Sequence, residues 1–432
     1  MVRSSRSGSV MMLQYRSRPR SKTLPLPGAV VLALAMGTLA GCENEPPAPL
    51  TFSEVDSPAG DGAAQPRLVT AHDGSGLLSW LEPVGDDYAL HFSQLGNDAW
   101  SEPQTVASGD DWFINWADTP SVVPVTDSFW AAHWQRYQPE SYFANEIFVA
   151  FSNDGGANWT QPSLLHQDAT ESEHGFVTLF PDRDGVGAVW LDGRNYLVDG
   201  VYLYEDLEGN KLGTSLRYAR FDSSGDRMEA SGVDEMACDC CLPDVAASSD
   251  GLVVTYRDRT VDERRDIVVR RLEDGQWQMP VAVGADNWVI EACPINGSVI
   301  SASGDDVVVA WFTAADNAPF VRLARSGDGG RSFGAPIDLD SSGSFGHVDV
   351  ALSESGDAIV SWLRSADEGV ALVVRRVSET GLLGDTQTVA NIDIGRPADF
   401  PQMIVVDSRL VFAWTDFEGE GTVKTAVAEL DR

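Results

Sequence analysis

The sequence predicts an all-β chain folded as a β-propeller of seven four-stranded blades, the last closed by a strand from the N-terminus. Three observations predict this. A short apolar strand ending in an aromatic recurs as "LLSW" at Trp80, "AAHW" at Trp134, "GAVW" at Trp190, "VVTY" at Tyr256, "VVAW" at Trp311, "IVSW" at Trp362 and "VFAW" at Trp414. The steps between them are 54, 56, 66, 55, 51 and 52 residues. Each is preceded by another short apolar strand, often opened by proline ("TPSVV", "LPDVA", "FPQMIVV"), and followed by a third strand, a Gly/Asp turn and a fourth, without helical periodicity.

The elements follow in order. Residues 49–56, "PLTFSEVD", have no partner in the first unit, whereas the last unit ends after its third strand, "TVKTAVAEL". Pairing the two closes the ring and hides a sheet edge. The third unit is stretched by "DGRNYLVDGVYLYEDLEGNKLG". Six blades with one decorated insertion is therefore the alternative count, while a β-sandwich would not explain the period.

Ahead of the repeats, residues 1–41 read as an export signal. Six bases (Arg3, Arg6, Arg16, Arg18, Arg20, Lys22) and no acid precede the apolar run "LPLPGAVVLALAMGTLAG", which is short for a membrane span. The run abuts Cys42 through Leu39, Ala40 and Gly41 and resembles a bacterial lipobox, which implies lipidation of Cys42, a tether over residues 42–48 and one propeller domain over 49–432. Glu43 after the cysteine implies the outer membrane, on its periplasmic or surface face. Without the leader the chain has 24 bases against 65 acids, so nucleic acid is excluded as a partner.

Two of the third-to-fourth turns, "SNDGGANW" (Ser152 to Trp159) and "SGDGGRSF" (Ser326 to Phe333), match Ser-x-Asp-x-Gly-x-x-Trp/Phe. They resemble the Asp-box, or BNR repeat, of the sialidase superfamily. The resemblance spans nearly all of the mature chain. It implies that Asp154 and Asp328 are structural staples on the face opposite the site. The functional face then receives the entrances to the first strands and the loops between the second and third.

A sialidase is expected to hold its substrate's carboxylate with three arginines and to use a Tyr/Glu pair and an Asp. The family's Arg-Ile-Pro reads Ala64-Gln65-Pro66 here. The arginine candidates on the functional face are Arg194, Arg257, Arg259 and Arg396. The candidate acids are Asp118, Asp192 and Asp258, and the candidate nucleophiles are Tyr137, Tyr196 and Tyr256. Trp112, Trp116, Tyr137 and Tyr142 are candidates for stacking on a sugar, with Asp192 and His347 as further binding residues. Histidines 72, 91, 133, 166 and 174 show no ligand spacing.

The hexapeptide "CDCCLP" brings Cys238, Cys240 and Cys241 to the entrance of one first strand, and Cys293 in "CPING" lies at the entrance of the next. These four sulfurs should converge near the axis. Two chemistries stay open: disulfides, as an oxidising compartment favours, or a soft-ion site for copper or zinc, with Met236 and His347 in reach. Two functions stay open with them. The first is a membrane-anchored, exo-α-sialidase-like glycoside hydrolase acting on or binding acidic glycans. The second is a non-hydrolytic propeller lipoprotein that binds a surface partner or a soft metal through its cysteines.

Overall fold

A computed structural model of the chain describes residues 46–97, 99–138, 144–367, 369–392, 400–417, 419, 421 and 422–430. The leader, Cys42, Tyr142 and Arg396 lie outside the described residues. Seven antiparallel blades are present, so the six-bladed alternative is corrected.

Blade I comprises Ala64–Thr70, Gly76–Val84, Asp87–Gln94 and Gln104–Gly109. Blade II comprises Ser121–Pro124, Trp130–Tyr137, Asn145–Ser152 and Ser163–Leu164. Blade III has His174–Asp182, Gly185–Asp192, Thr214–Phe221 and Arg227–Ala237; its extra residues form a separate hairpin, Leu197–Val198 with Val201–Tyr202, and interrupt no blade strand. In blade IV, Asp244–Ser248, Gly251–Arg257 and Ile267–Glu273 are followed by two short fourth-strand pieces, Gln276–Trp277 and Val281–Ala282. Blade V has Ser298–Ser303, Asp306–Thr313, Phe320–Ser326 and Ile337–Asp340, and blade VI has Ser344–Leu352, Ala358–Ser365, Val370–Val377 and Gln387–Ile392. Blade VII joins Gln402–Val406, Arg409–Asp416 and Thr422–Glu429 to Phe52–Val55, in register Phe52 with Ala428 and Val55 with Thr425. That is the closure expected from the unpaired edges.

The recurring aromatics are the interior of the sheets. Trp80, Trp134, Trp190, Tyr256, Trp311, Trp362 and Trp414 are all buried, and each apolar cluster is filled from neighbouring blades. Several of the indoles are fixed by acids: Trp190 Nε1 donates to Asp192 Oδ2 at 2.9 Å, Trp311 Nε1 to Asp286 Oδ2 at 2.7 Å and Trp362 Nε1 to Asp340 Oδ2 at 2.9 Å. In these three an apolar body with one satisfied donor gives large burial without an orphaned polar group, whereas the Nε1 atoms of Trp134 and Trp414 are buried without a partner among the described residues.

First strands meet their neighbours all the way round the ring. Half-buried carboxylates tie some of them together. Asp244 Oδ2 accepts from the Ile300 amide at 2.9 Å, and Asp349 Oδ2 accepts from the Met403 amide at 2.7 Å. At the other end of the blades, the two Asp-containing turns are bonded internally. Asp154 Oδ1 accepts from Ser152 Oγ (2.9 Å) and from the Asn158 amide (2.8 Å), and Asp328 Oδ1 from Ser326 Oγ (2.6 Å) and from the Ser332 amide (2.9 Å). Gly155, Gly156, Gly329 and Gly330 take the positive φ those turns require.

Candidate active site

The connections into first strands open one face onto the axis, and a cavity of about 340 Å³ lies there. Its wall is apolar where Phe113, Trp116 and Phe176 stand and acidic where Asp118, Glu173 and Asp239 stand; Cys240 and Cys293 complete it. A second cavity, about 180 Å³, holds Arg67, Asp244, Asp349 and Phe400 along the first strands. The two are joined by an aromatic stack: Trp116 lies 6.1 Å from Phe400 and 6.0 Å from His347, and His347 lies 4.4 Å from Phe400, all near parallel.

Asp118 precedes the first strand of blade II and is buried. Its carboxyl accepts from Gln135 Nε2 at 2.7 Å and from the amides of Phe176 and Val177 in blade III. Gly175 is required beside it, because a Cβ there would collide with Asp118 Oδ2. Burial pushes the carboxyl up to about 7, although those donors oppose it and only the charge of Glu173 adds to it. Burial also raises Glu173.

Asp239 stands in a different setting. It lies between the cysteines of "CDCC", and its Oδ1 accepts from Tyr196 OH and, at 2.9 Å, from Thr214 Oγ1. Arg259 Nη1 reaches both its oxygens at 3.1 and 3.0 Å, and Arg265 Nη1 lies 3.5 Å away. Burial and the Asp239 charge push the Tyr196 hydroxyl above the ordinary phenol range.

The arginines expected to bind a carboxylate are spent elsewhere, which corrects that expectation for three of them. Arg257 is buried, and its guanidinium donates to three backbone oxygens, Asn296 O (2.9 Å), Arg265 O (2.8 Å) and Phe312 O (2.7 Å). It is a brace between blades IV and V. Arg259 forks onto Glu263 at 3.0 and 2.9 Å and turns its remaining nitrogen to Asp239 and Tyr196. Arg194 forks onto Asp192 at 2.7 and 2.6 Å. Asp192 is itself fully buried under Arg194 and Trp190, so it is corrected from a binding residue to an anchor.

Other expectations divide. Asp258 is raised to about 6 by burial and by Asp234, yet it does not line the mouth cavity. Tyr256 donates to Asp234 Oδ2 at 2.7 Å inside the sheet. Trp112 is buried and stacks on Trp134 at 5.4 Å, a packing role that corrects the binding expectation. Tyr137 is exposed and meets Phe113 edge-on at 5.1 Å, outside the cavity lining, whereas Trp116 is part of that lining. His347 belongs to the aromatic stack, its amide donating to Asn296 Oδ1 at 2.8 Å.

Cys240 and Cys293 form a disulfide, with Cα atoms 6.1 Å apart, across the entrances of blades IV and V. Cys238 and Cys241 are free and buried, with Sγ atoms 2.7 Å apart. A tetrahedral zinc held by all four sulfurs does not fit this arrangement. Sulfurs bound to one tetrahedral zinc at about 2.3 Å would be separated by about 3.8 Å, and two of the four donors are already bonded to each other.

Three residues escaped the sequence reading. Glu173 and Asp239 line the mouth, and each was legible as an acid at a first-strand entrance. Arg67, directly after Gln65-Pro66, lines the channel beside Asp244 and Asp349. His166, Asp168 and His174 also converge: Asp168 accepts from His166 Nδ1 at 2.6 Å and His174 Nε2 at 3.0 Å, with Arg194 3.5 Å away. Asp168 ties the two imidazoles together, while His166 Nε2 is buried without a hydrogen-bond partner among the described residues.

No family model and no curated protein matches the sequence. Solved structures do. A protein of unknown function from Dyadobacter fermentans is 13% identical over 88% of this chain and 98% of its own, with a TM-score of 0.50. A neuraminidase-like protein from A/bat/Guatemala/164/2009 is 8% identical over 88% and 94%, with a TM-score of 0.47. The α-L-arabinofuranosidase of Fusarium graminearum is 13% identical over 72% and 92%, with a TM-score of 0.45. At such identities the likeness is one of fold alone.

Proposed function

We propose that the mouth cavity binds, and hydrolyses, a glycoside whose sugar is uncharged or carries an amine, on a chain held at the bacterial cell envelope through a lipidated Cys42. The observation that carries this reading is a pair of carboxyls in one cavity with opposite surroundings. Asp118 is buried without a cation and keeps its proton to about pH 7, while Asp239 is ion-paired with Arg259 and Arg265. Glycoside cleavage needs such a division: one acid protonates the departing oxygen, and a second carboxylate supports the positive charge or activates the nucleophile. Tyr196 donates its hydroxyl to Asp239 and so helps to fix that carboxylate. Trp116 and Phe176 offer faces on which a sugar ring can lie.

The charge of the wall argues against an acidic sugar. Among the described residues no cation lines the cavity, and Arg194, Arg257 and Arg259 are engaged by carboxylates or backbone oxygens. A carboxylate ligand would find no cation there to pair with, whereas an amine could pair with Glu173. The test is a panel of aryl glycosides spanning neutral, amino and acidic sugars, with calorimetric titration of the free sugars alongside. Turnover or saturable binding confined to neutral or amino sugars is expected. A preference for sialosides, or silence across the whole panel in both assays, would overturn the reading.

A further inference from the structure

The cysteines do more than clasp two blades. Cys240 and Cys293 form the disulfide, and they line the mouth cavity with Cys293 exposed. Directly behind it, Cys238 and Cys241 form a C-x-x-C pair of buried thiols. The sulfurs of Cys238, Cys240 and Cys241 all lie within 4.8 Å of one another. A dithiol thus abuts a disulfide, with no other side chain needed to carry the exchange between them. Structural cysteines in an apolar setting are inert because no thiolate is available. Here the setting is cationic. Arg265 Nη1 lies 3.3 Å from Cys238 Sγ, and the guanidinium of Arg257 is held in place by three backbone oxygens. Against the burial that opposes it, the contact with Cys241 and the charges of Arg257 and Arg265 bring the Cys238 thiol down to about 7, while burial and Cys238 push Cys241 up.

We infer that the four sulfurs are an internal thiol–disulfide relay, which passes an electron pair from the buried Cys238/Cys241 dithiol to the cavity-facing Cys240–Cys293 disulfide and on to a small disulfide that enters the mouth. The step balances without an outside oxidant. The Cys238 thiolate attacks Cys240 Sγ, the Cys240–Cys293 bond breaks, and Cys293 leaves as a thiolate that takes up a proton. Cys241 then loses its proton and attacks Cys238 Sγ, releasing Cys240. The products are a Cys238–Cys241 disulfide and a Cys240/Cys293 dithiol at the mouth. That dithiol reduces one external disulfide to two thiols and re-forms the Cys240–Cys293 bond. This inference is independent of the sugar reading, since it is read on sulfur alone.

The experiment uses the full mature chain, purified without chelator or reductant, and incubated with reduced and oxidised glutathione. Acid quenching, maleimide labelling and peptide mapping without reduction then locate each disulfide. Expected in the wild type is a Cys238–Cys241 disulfide with labelled Cys240 and Cys293, appearing within hours and interconverting with the original pairing. In Cys241→Ser, which lacks the resolving thiol, a Cys238–Cys240 disulfide should accumulate with Cys293 labelled. Wild-type protein that keeps one fixed pairing under every buffer, or carries stoichiometric metal on the sulfurs, overturns the relay. The wild-type result decides even if the variant does not fold.

Discussion

Two aspartates on one scaffold meet opposite fates. Asp328 sits in a turn between third and fourth strands, and Asp118 at the entrance to a first strand at the other end of the blades. Around Asp328, Ser326 Oγ, Ser332 Oγ and the Ser332 amide all donate, and these bonds hold its carboxyl at about 2. Around Asp118 there is burial, one side-chain amide, two backbone amides and the repelling charge of Glu173, and its carboxyl rises to about 7. Both carboxyls are hydrogen-bonded, so donors alone do not set the proton affinity. Access to water does, and the mouth is where the propeller withholds it.

Breaking the mouth side should have the largest effect. Asp118→Asn keeps the amide acceptor geometry on one oxygen but cannot donate a carboxyl proton, and turnover of a responsive glycoside should fall about 10²- to 10⁴-fold with the circular dichroism unchanged. Next comes the brace beneath it. Arg257→Met leaves three carbonyls without their donor, at about 1–3 kcal/mol for each that stays unsatisfied, read as a fall in the urea midpoint at constant m. A third test compares pH. Asp118 binds its proton more tightly folded than unfolded, where the ordinary value is 3.8, so its contribution to stability is greatest below about pH 4 and is lost as pH rises through about 7. The stability of the wild type relative to Asp118→Asn should therefore decline from pH 5 to pH 8, by on the order of 1.4 kcal/mol for each pKa unit of the rise. Asp328 runs the other way: its contribution is present above about pH 4 and is lost as pH falls through about 2. The smallest effect belongs to this turn. Asp328→Ala should cost about 1 kcal/mol, visible as a modest drop in melting temperature, with glycoside turnover unchanged.

The same contrast explains what the sequence could say. Periodic features are local, so the seven aromatic-ended strands and the closure by residues 49–56 were legible from one chain. Spacing also carried the adjacency of Cys240 and Cys293, since one blade separates them. Roles of polar groups were not legible, because their partners come from other blades. Arg257 looks like a ligand-binding fork in "TYRDR", yet its acceptors at Asn296 and Phe312 lie one blade further on. Asp239 was hidden by the thiols that flank it. Asp118 appeared only as one of three candidate acids, and its burial depends on Gln135 and on the backbone of blade III.

On this proposal the mouth keeps Asp118 protonated near neutrality while Asp239 is ion-paired with Arg259 and Arg265. The most direct measurement is a pH titration of the aspartate carboxyl carbons by ¹³C NMR, with the Asp118 resonance assigned by its loss in Asp118→Asn. A resonance titrating near pH 7 is predicted. A midpoint in the ordinary aspartate range near 4 would contradict the account and leave Asp118 as an inter-blade tie with no proton to give.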